Sequence, residues 1–209
     1  MVYSNIALKI VKLNIIVFLL WNFYGRFNPE FMMSHFLVSG EALNQGRIWT
    51  LVTSVFSHTL LMHILLNMFV FYNFGVVIER VLGSKRFFWF FILAGVAGSL
   101  SHCLVSIFLL QQPQLAALGA SGAVSGIVLL FALLFPHEKI YILGFIPAPA
   151  IWAAMLITGI DLWGLISQTK GSASPIGYGA HLGGAISALI YYASAHRPRH
   201  PLHYARGKN

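Results

Sequence analysis

The chain has 209 residues, of which 58% are apolar and only 9% charged, with a mean hydropathy of +0.78. Soluble proteins carry roughly 25% charged residues, and 13 basic with 5 acidic side chains cannot coat a soluble domain of this length, so a soluble fold and intrinsic disorder are both excluded. The single cysteine, Cys103, excludes a disulfide framework and a cysteine-rich metal site, and the single aspartate, Asp161, excludes any mechanism built on two aspartates. No HExxH occurs, so the usual helical zinc-protease arrangement is absent.

Six apolar segments approach the ~20 residues a membrane-crossing helix needs. The first, about Leu8 to Phe23, follows the pattern of a signal peptide, with Lys9 and Lys12 at its start. It continues into Trp21-Asn22-Phe23-Tyr24 rather than a small-residue cleavage site, and reads as a retained span. A long loop, Tyr24 to Thr59, is too rich in aromatic residues for a free linker and is expected to lie partly in the membrane. The second span covers about Leu60 to Ile78, the third Phe87 to Leu110 and the fourth Gly119 to Phe135. The fifth begins near Pro147 or Pro149, taken as a helix start, and runs to Ile166; the sixth covers Gly179 to Ala195. The expected fold is an all-α integral membrane protein, a six-helix bundle in one domain over residues 1–209, with a basic tail at 196–209. His196, His200 and His203 in that tail read as solvated.

Lysine and arginine alternate between the sides as six spans require. One side carries Lys9, Lys12, Arg80, Lys85, Arg86, Lys139, Arg197, Arg199, Arg206 and Lys208; the other carries only Arg26, Arg47 and Lys170. Basic residues mark the cytoplasmic face, which places both termini there. The formal charge of +8 is mainly this topology signal, with anionic lipid rather than nucleic acid as its partner. The six-span minimal form without a targeting leader points to a bacterial cytoplasmic (inner) membrane.

Polar groups inside a membrane are costly, so their positions carry information. The second span opens with His58, His63 and Asn67, the fourth with Gly119-Ala120-Ser121-Gly122, the sixth with His181-Leu182-Gly183-Gly184. These three spans run in the same direction, so their beginnings share one depth on the outer side. Ser121 alone reads as a small packing residue. At a helix start, where free N–H groups favour developing negative charge, it also suits a nucleophile. Gly122 and Gly126 form GxxxG on the fourth span and Gly184 lies on the face of His181, so close packing can bring imidazole to hydroxyl. His63 and Asn67, four apart, share a face and can donate into a cavity as an oxyanion hole; the plainer reading is a polar patch satisfying loop carbonyls. A zinc site on His63 and His181 is the less favoured alternative. Nothing in the spacing brings Asp161 to His181, so it is assigned a structural role and the mechanism is expected to need only Ser and His. Ser125, one turn below Ser121, either approaches the histidine or packs; His102 and Cys103 default to packing in the third span.

In this combination the sequence resembles the rhomboid intramembrane serine proteases. His63-x-x-x-Asn67, Gly119-Ala120-Ser121-Gly122 and Ala180-His181-Leu182-Gly183-Gly184 match the family's motifs in the second, fourth and sixth spans, and Glu79 with Leu82-Gly83-Ser84 is similar to its turn after the second span. The resemblance covers about residues 45–195. It implies Ser121 as nucleophile, His181 as general base, His63 and Asn67 with the Ser121 N–H as oxyanion donors, Gly119, Gly122, Gly126 and Gly184 as loop and packing glycines, and the fifth span as a lateral gate. It implies a small residue before the cut and neither cofactor nor metal; because a substrate helix shields its amides, membrane-protein substrates with helix-weakening segments near the cut are expected as well. Two departures stand out: Trp49 is followed by Thr50 where Trp-Arg is common, and Ala188 replaces a usual glycine. Two rivals are weighed against a protease. A non-cutting helix-binding protein fits poorly with retention of all four polar positions, and a transporter fits poorly with polar residues confined to one end of the spans.

Overall fold

The computed structural model describes residues 5–142 and 145–195; the basic tail and its three histidines lie outside the described residues. The chain is mainly helical. In order it forms α1 (Ile6–Asn22), α2 (Pro29–Phe36), α3 (Gly40–Asn44), α4 (Thr50–Thr53) with a following 3-10 turn Ser54–Phe56, α5 (Leu61–Leu82), α6 (Ser84–Leu104) extended by a π turn Val105–Leu109, and α7 (Ser121–Leu134). A hairpin of β1 (Lys139–Ile142) and β2 (Ile146–Pro149) follows, then α8 (Ala150–Thr169) and α9 (Tyr178–Ser194). Among the described residues, three helical stretches are long and apolar enough to cross a membrane: Leu61–Leu82, Ser84–Leu109 and Ala150–Thr169. Helices α1, α7 and α9 are apolar but shorter, at 17, 14 and 17 residues. Large apolar side chains on the outer faces, such as Leu65, Phe69, Trp152 and Trp163, are exposed, as a lipid environment requires.

Local sequence explains the joints. Gly83, at φ +79, lets α5 end and α6 begin without an intervening loop. α1 starts on a double cap. Asn5 Oδ1 accepts from Leu8 N, and the buried Glu79 carboxylate from the end of α5 accepts from Ile6 N and Ala7 N, both at 2.9 Å, and from the Ser84 hydroxyl at 2.6 Å. One side chain thereby satisfies free N–H groups of α1 and ties it to the α5–α6 joint.

The hairpin departs from the all-α expectation. Lys139 pairs with Pro149, Ile140 with Ala148, Tyr141 with Pro147 and Ile142 with Ile146. With two strands only, each proline has an open edge to face, so its missing N–H is tolerated. Pro149 is the residue before α8; Pro147 belongs to β2 rather than to a helix start.

α6, α7 and α9 form the centre. Their contact is built on residues without bulk. An added Cβ on Gly126 would lie 2.8 Å from Gly184 O, one on Gly98 2.9 Å from Ala180 O, and one on Gly184 would fall on Gly122 O. Backbones meet directly, the small-residue mode of helix packing in membranes. Around this seam Phe71, Phe87, Phe91, Ile78, Ile127 and Leu130 make the apolar core.

The loop between α1 and α5 is ordered and packed. Val38 and Ala117 exchange backbone hydrogen bonds (3.0 and 2.8 Å), and Glu41 N donates to Pro113 O, so this loop is stitched to the segment leading into α7. Val55 fills the notch left by Gly95 of α6, within 2.8 Å of where a Cβ would stand. Phe23, Phe27, Phe31, Met33, Ile48 and Trp49 of this region are exposed apolar groups.

Candidate active site

The three helix beginnings picked out by their polar residues line one cavity of about 660 Å³, in which His63, Asn67, Ser121 and His181 all take part, together with His102, Ser99 and Ser54. Ser121 is the first residue of α7. The segment before it is shaped by Gly119, whose φ of +122 is open to glycine. A Cβ there would lie 2.8 Å from His63 Cε1, so the same glycine lets the loop rest against the His63 ring. Gly119 N donates to Ser54 O at 2.9 Å.

His181 stands in the first turn of α9 with Nε2 3.0 Å from Ser121 Oγ. Its other ring nitrogen, Nδ1, lies 2.8 Å from Asp161 Oδ1 on α8. The expectation that Asp161 does not reach His181 is thus corrected. Spacing along the chain says nothing of helix tilt and rotation, and α8 turns the carboxylate inward. An ionised carboxylate only accepts, so Nδ1 carries the hydrogen and Nε2 offers its lone pair to the Ser121 hydroxyl. The remaining polar residues divide. Asn67 lines the cavity, while its Nδ2 donates one hydrogen to His63 O at 2.9 Å; the amide's second hydrogen is left for another acceptor.

His102, read as packing, and His58, left without a role, each have a defined one. His102 Nε2 sits 3.0 Å from Leu115 O, donating to the loop that precedes α7. His58, fully buried, lies edge-on to His63 with ring centroids 4.9 Å apart, and its Nε2 accepts from Ala120 N at 3.5 Å. Burial, reinforced by the neighbouring His63, lowers its pKa to about 3, so it stays neutral. His58 therefore holds the turn before Ser121 from behind. The signal was present in the sequence as a histidine just before the second span, but its target lies 62 residues on.

The sequence model of the Rhomboid domain family matches residues 45–198. The chain belongs to the rhomboid family. It is 33% identical over 207 residues to "RHOMBOID-like protein 12, mitochondrial" of Arabidopsis thaliana, covering 93% of this chain and 60% of that protein. It is 30% identical over 202 residues to "Rhomboid protein 1, mitochondrial" of Saccharomyces cerevisiae, covering 90% and 52%. A shorter match, 30% over 124 residues, joins it to "Rhomboid protease GluP" of Bacillus subtilis, covering 59% of this chain and 22% of that protein. The chain thus spans little more than half the length of the first two relatives. The expected bacterial cytoplasmic (inner) membrane is overturned by these names, since relatives 27–33% identical over at least 90% of the chain are mitochondrial and chloroplastic proteins. The expectation rested on the six-span minimal form, and the number of spans sets how a chain crosses a membrane and not which membrane it crosses.

Proposed function

We propose that this chain is an intramembrane serine endopeptidase of an organellar inner membrane, cutting transmembrane or juxtamembrane segments of membrane proteins. The observation that carries the reading is the 3.0 Å contact between His181 Nε2 and Ser121 Oγ at the start of α7. Six spans are assigned to α1 and α5 to α9 within one membrane domain, with the aromatic-rich loop before α5 partly embedded. α7 has 14 residues and at 1.5 Å per residue is about 21 Å long, against a hydrocarbon thickness of about 30 Å. Its first residue is therefore sunk below the surface opposite the lysine-rich side. Peptide hydrolysis needs water, and the cavity lined by the polar ends of α5, α7 and α9 is where water and peptide would meet.

Ser121 Oγ attacks the scissile carbonyl as its proton passes to His181 Nε2. The tetrahedral oxyanion is held by His63, Asn67 and the Ser121 N–H, donors worth about 10² to 10³ in turnover each. The imidazolium returns the proton to the leaving nitrogen. Water, deprotonated by the same ring, then releases the acyl group. A substrate helix hides its amides in internal hydrogen bonds, so helix-weakening residues near the cut are required. Gly119, Gly122, Gly126 and Gly184 serve by absence of bulk.

The test is cleavage of a membrane-spanning reporter by the purified protein in vesicles, beside fluorophosphonate labelling of Ser121. Wild type is expected to cut and to label; Ser121→Ala and His181→Ala are expected to do neither. Product at the wild-type rate from Ser121→Ala, or a wild type that neither cuts nor labels, overturns the reading.

A further inference from the structure

Asp161 is the chain's one aspartate, set in the middle of α8 and 7% exposed. The other buried residues of that helix are Ala150, Ala153, Ala154 and Gly164. A charge among such neighbours needs a partner, and the partner is the imidazole that contacts Ser121. We propose that Asp161 is a positioning residue for the general base, making the working unit Ser121–His181–Asp161, and that the seating of α8 thereby controls the readiness of the base. The proposal rests on the hydrolase reading above and adds a residue to it.

Two physical effects follow from the 2.8 Å contact. The carboxylate accepts the Nδ1 hydrogen, which selects the tautomer whose Nε2 is free to take a proton. When the Ser121 proton arrives, the positive charge of the imidazolium faces a fixed negative group, which keeps its own charge throughout. No proton is lost or gained at Asp161.

The link to α8 comes from one face of that helix. Asp161, Gly164 and Gln168 recur at i, i+3 and i+7 and so point the same way. Each touches the start of α9 or the loop before it. Asp161 meets His181. Gly164 leaves the room that the Tyr178 ring fills, since a Cβ there would fall on that ring. Gln168 Nε2 donates to Ile176 O at 3.0 Å and to Ser174 O at 3.3 Å. A displacement of α8 from α9 withdraws the carboxylate along with the helix.

Asp161→Asn and Asp161→Glu are compared with wild type by fluorophosphonate labelling of Ser121, by reporter kinetics and by thermal unfolding. Labelling needs the base and no substrate helix, so it isolates the positioning effect. For Asp161→Asn, the labelling rate and kcat are expected to fall together by about 10²-fold, the lower end of what a general base contributes, with KM and the thermal midpoint near wild type. Asp161→Glu is expected to recover part of both rates. An Asp161→Asn protein that labels as fast as wild type overturns the proposal and leaves the hydrolase reading standing. Rates that fall only in step with the thermal midpoint, with no recovery by glutamate, also overturn it. Failure of wild-type Ser121 to label sinks the hydrolase reading, and this proposal with it.

Discussion

His58 lies in the turn that leads into α5, fully buried and neutral, with a pKa lowered to about 3 by burial. In the unfolded chain the same imidazole takes up a proton as pH falls through about 6.5. Between these values the unfolded state binds more protons, so stability rises with pH across the window and this group adds no slope above it. The effect is at most about 1.4 kcal/mol per pH unit. Denaturation of wild type in micelles at pH 5 and pH 7.5 should therefore show lower stability at pH 5, and His58→Gln should reduce that difference; an unchanged difference would refute the assignment. Gly119 makes the second prediction at this scale. Its φ of +122 and the His63 ring in the path of any Cβ mean that Gly119→Ala displaces His63, the oxyanion donor of the proposed mechanism. A loss of about 10²-fold in kcat is expected, read on the same reporter. That Ser121 and His181 meet was legible from residue types at shared depth and from glycines on both helices. The supporting contact of His58 was not, because a histidine that accepts from a backbone amide 62 residues away leaves no local pattern.

Among the elements, α1 is held by a side chain that is not its own. The Glu79 carboxylate accepts from two amides of α1 and from Ser84, and hydrogen bonds to a charged group are worth about 1.5–3 kcal/mol each. Glu79→Gln keeps the shape and loses the charge. A destabilisation of about 2–3 kcal/mol is expected, measured by denaturant or thermal unfolding, with kcat per folded molecule unchanged; a kcat that falls instead would mean that α1 shapes the cavity. α8 makes the complementary case. Gly164→Ala pushes on the Tyr178 ring and should slow Ser121 labelling in wild type, yet add little in an Asp161→Asn background, because both changes act through one contact. Additive losses would separate the two. Hydropathy located α1 and α5 to α9 to within a few residues. The hairpin escaped because Lys139–Ile142 and Ile146–Pro149 are short apolar runs that periodicity cannot tell from helix, and because prolines there read as a helix start. Asp161 escaped for a different reason: which way a helix is turned about its axis is decided by its neighbours, here by the stripe of alanines and Gly164 on the face that packs.

For the molecule as a whole, membership of the rhomboid family and a membrane environment rest on the sequence match and the apolar helices together, while the choice of membrane lay beyond what the number of spans can specify. The contact between α7 and α9 is backbone against backbone at Gly122, Gly126 and Gly184, and bare main chain has no rotamers with which to accommodate a shift. Outside the α6–α7–α9 seam the core is filled mainly by Phe, Ile and Leu side chains that can repack. A bilayer thicker or thinner than the protein's own is met by tilting or by lipid distortion, and that adjustment falls on the repackable joints. Reconstitution in a series of lipids with increasing acyl-chain length should therefore leave fluorophosphonate capture at Ser121 nearly constant while cleavage of a spanning reporter rises and falls. The glycine seam acts as a rigid rivet in a deformable hull: it fixes the spacing of Ser121 and His181 whatever the surrounding lipid does and, on the proposed hydrolase reading, leaves the fit between protein and membrane to govern only how a substrate arrives.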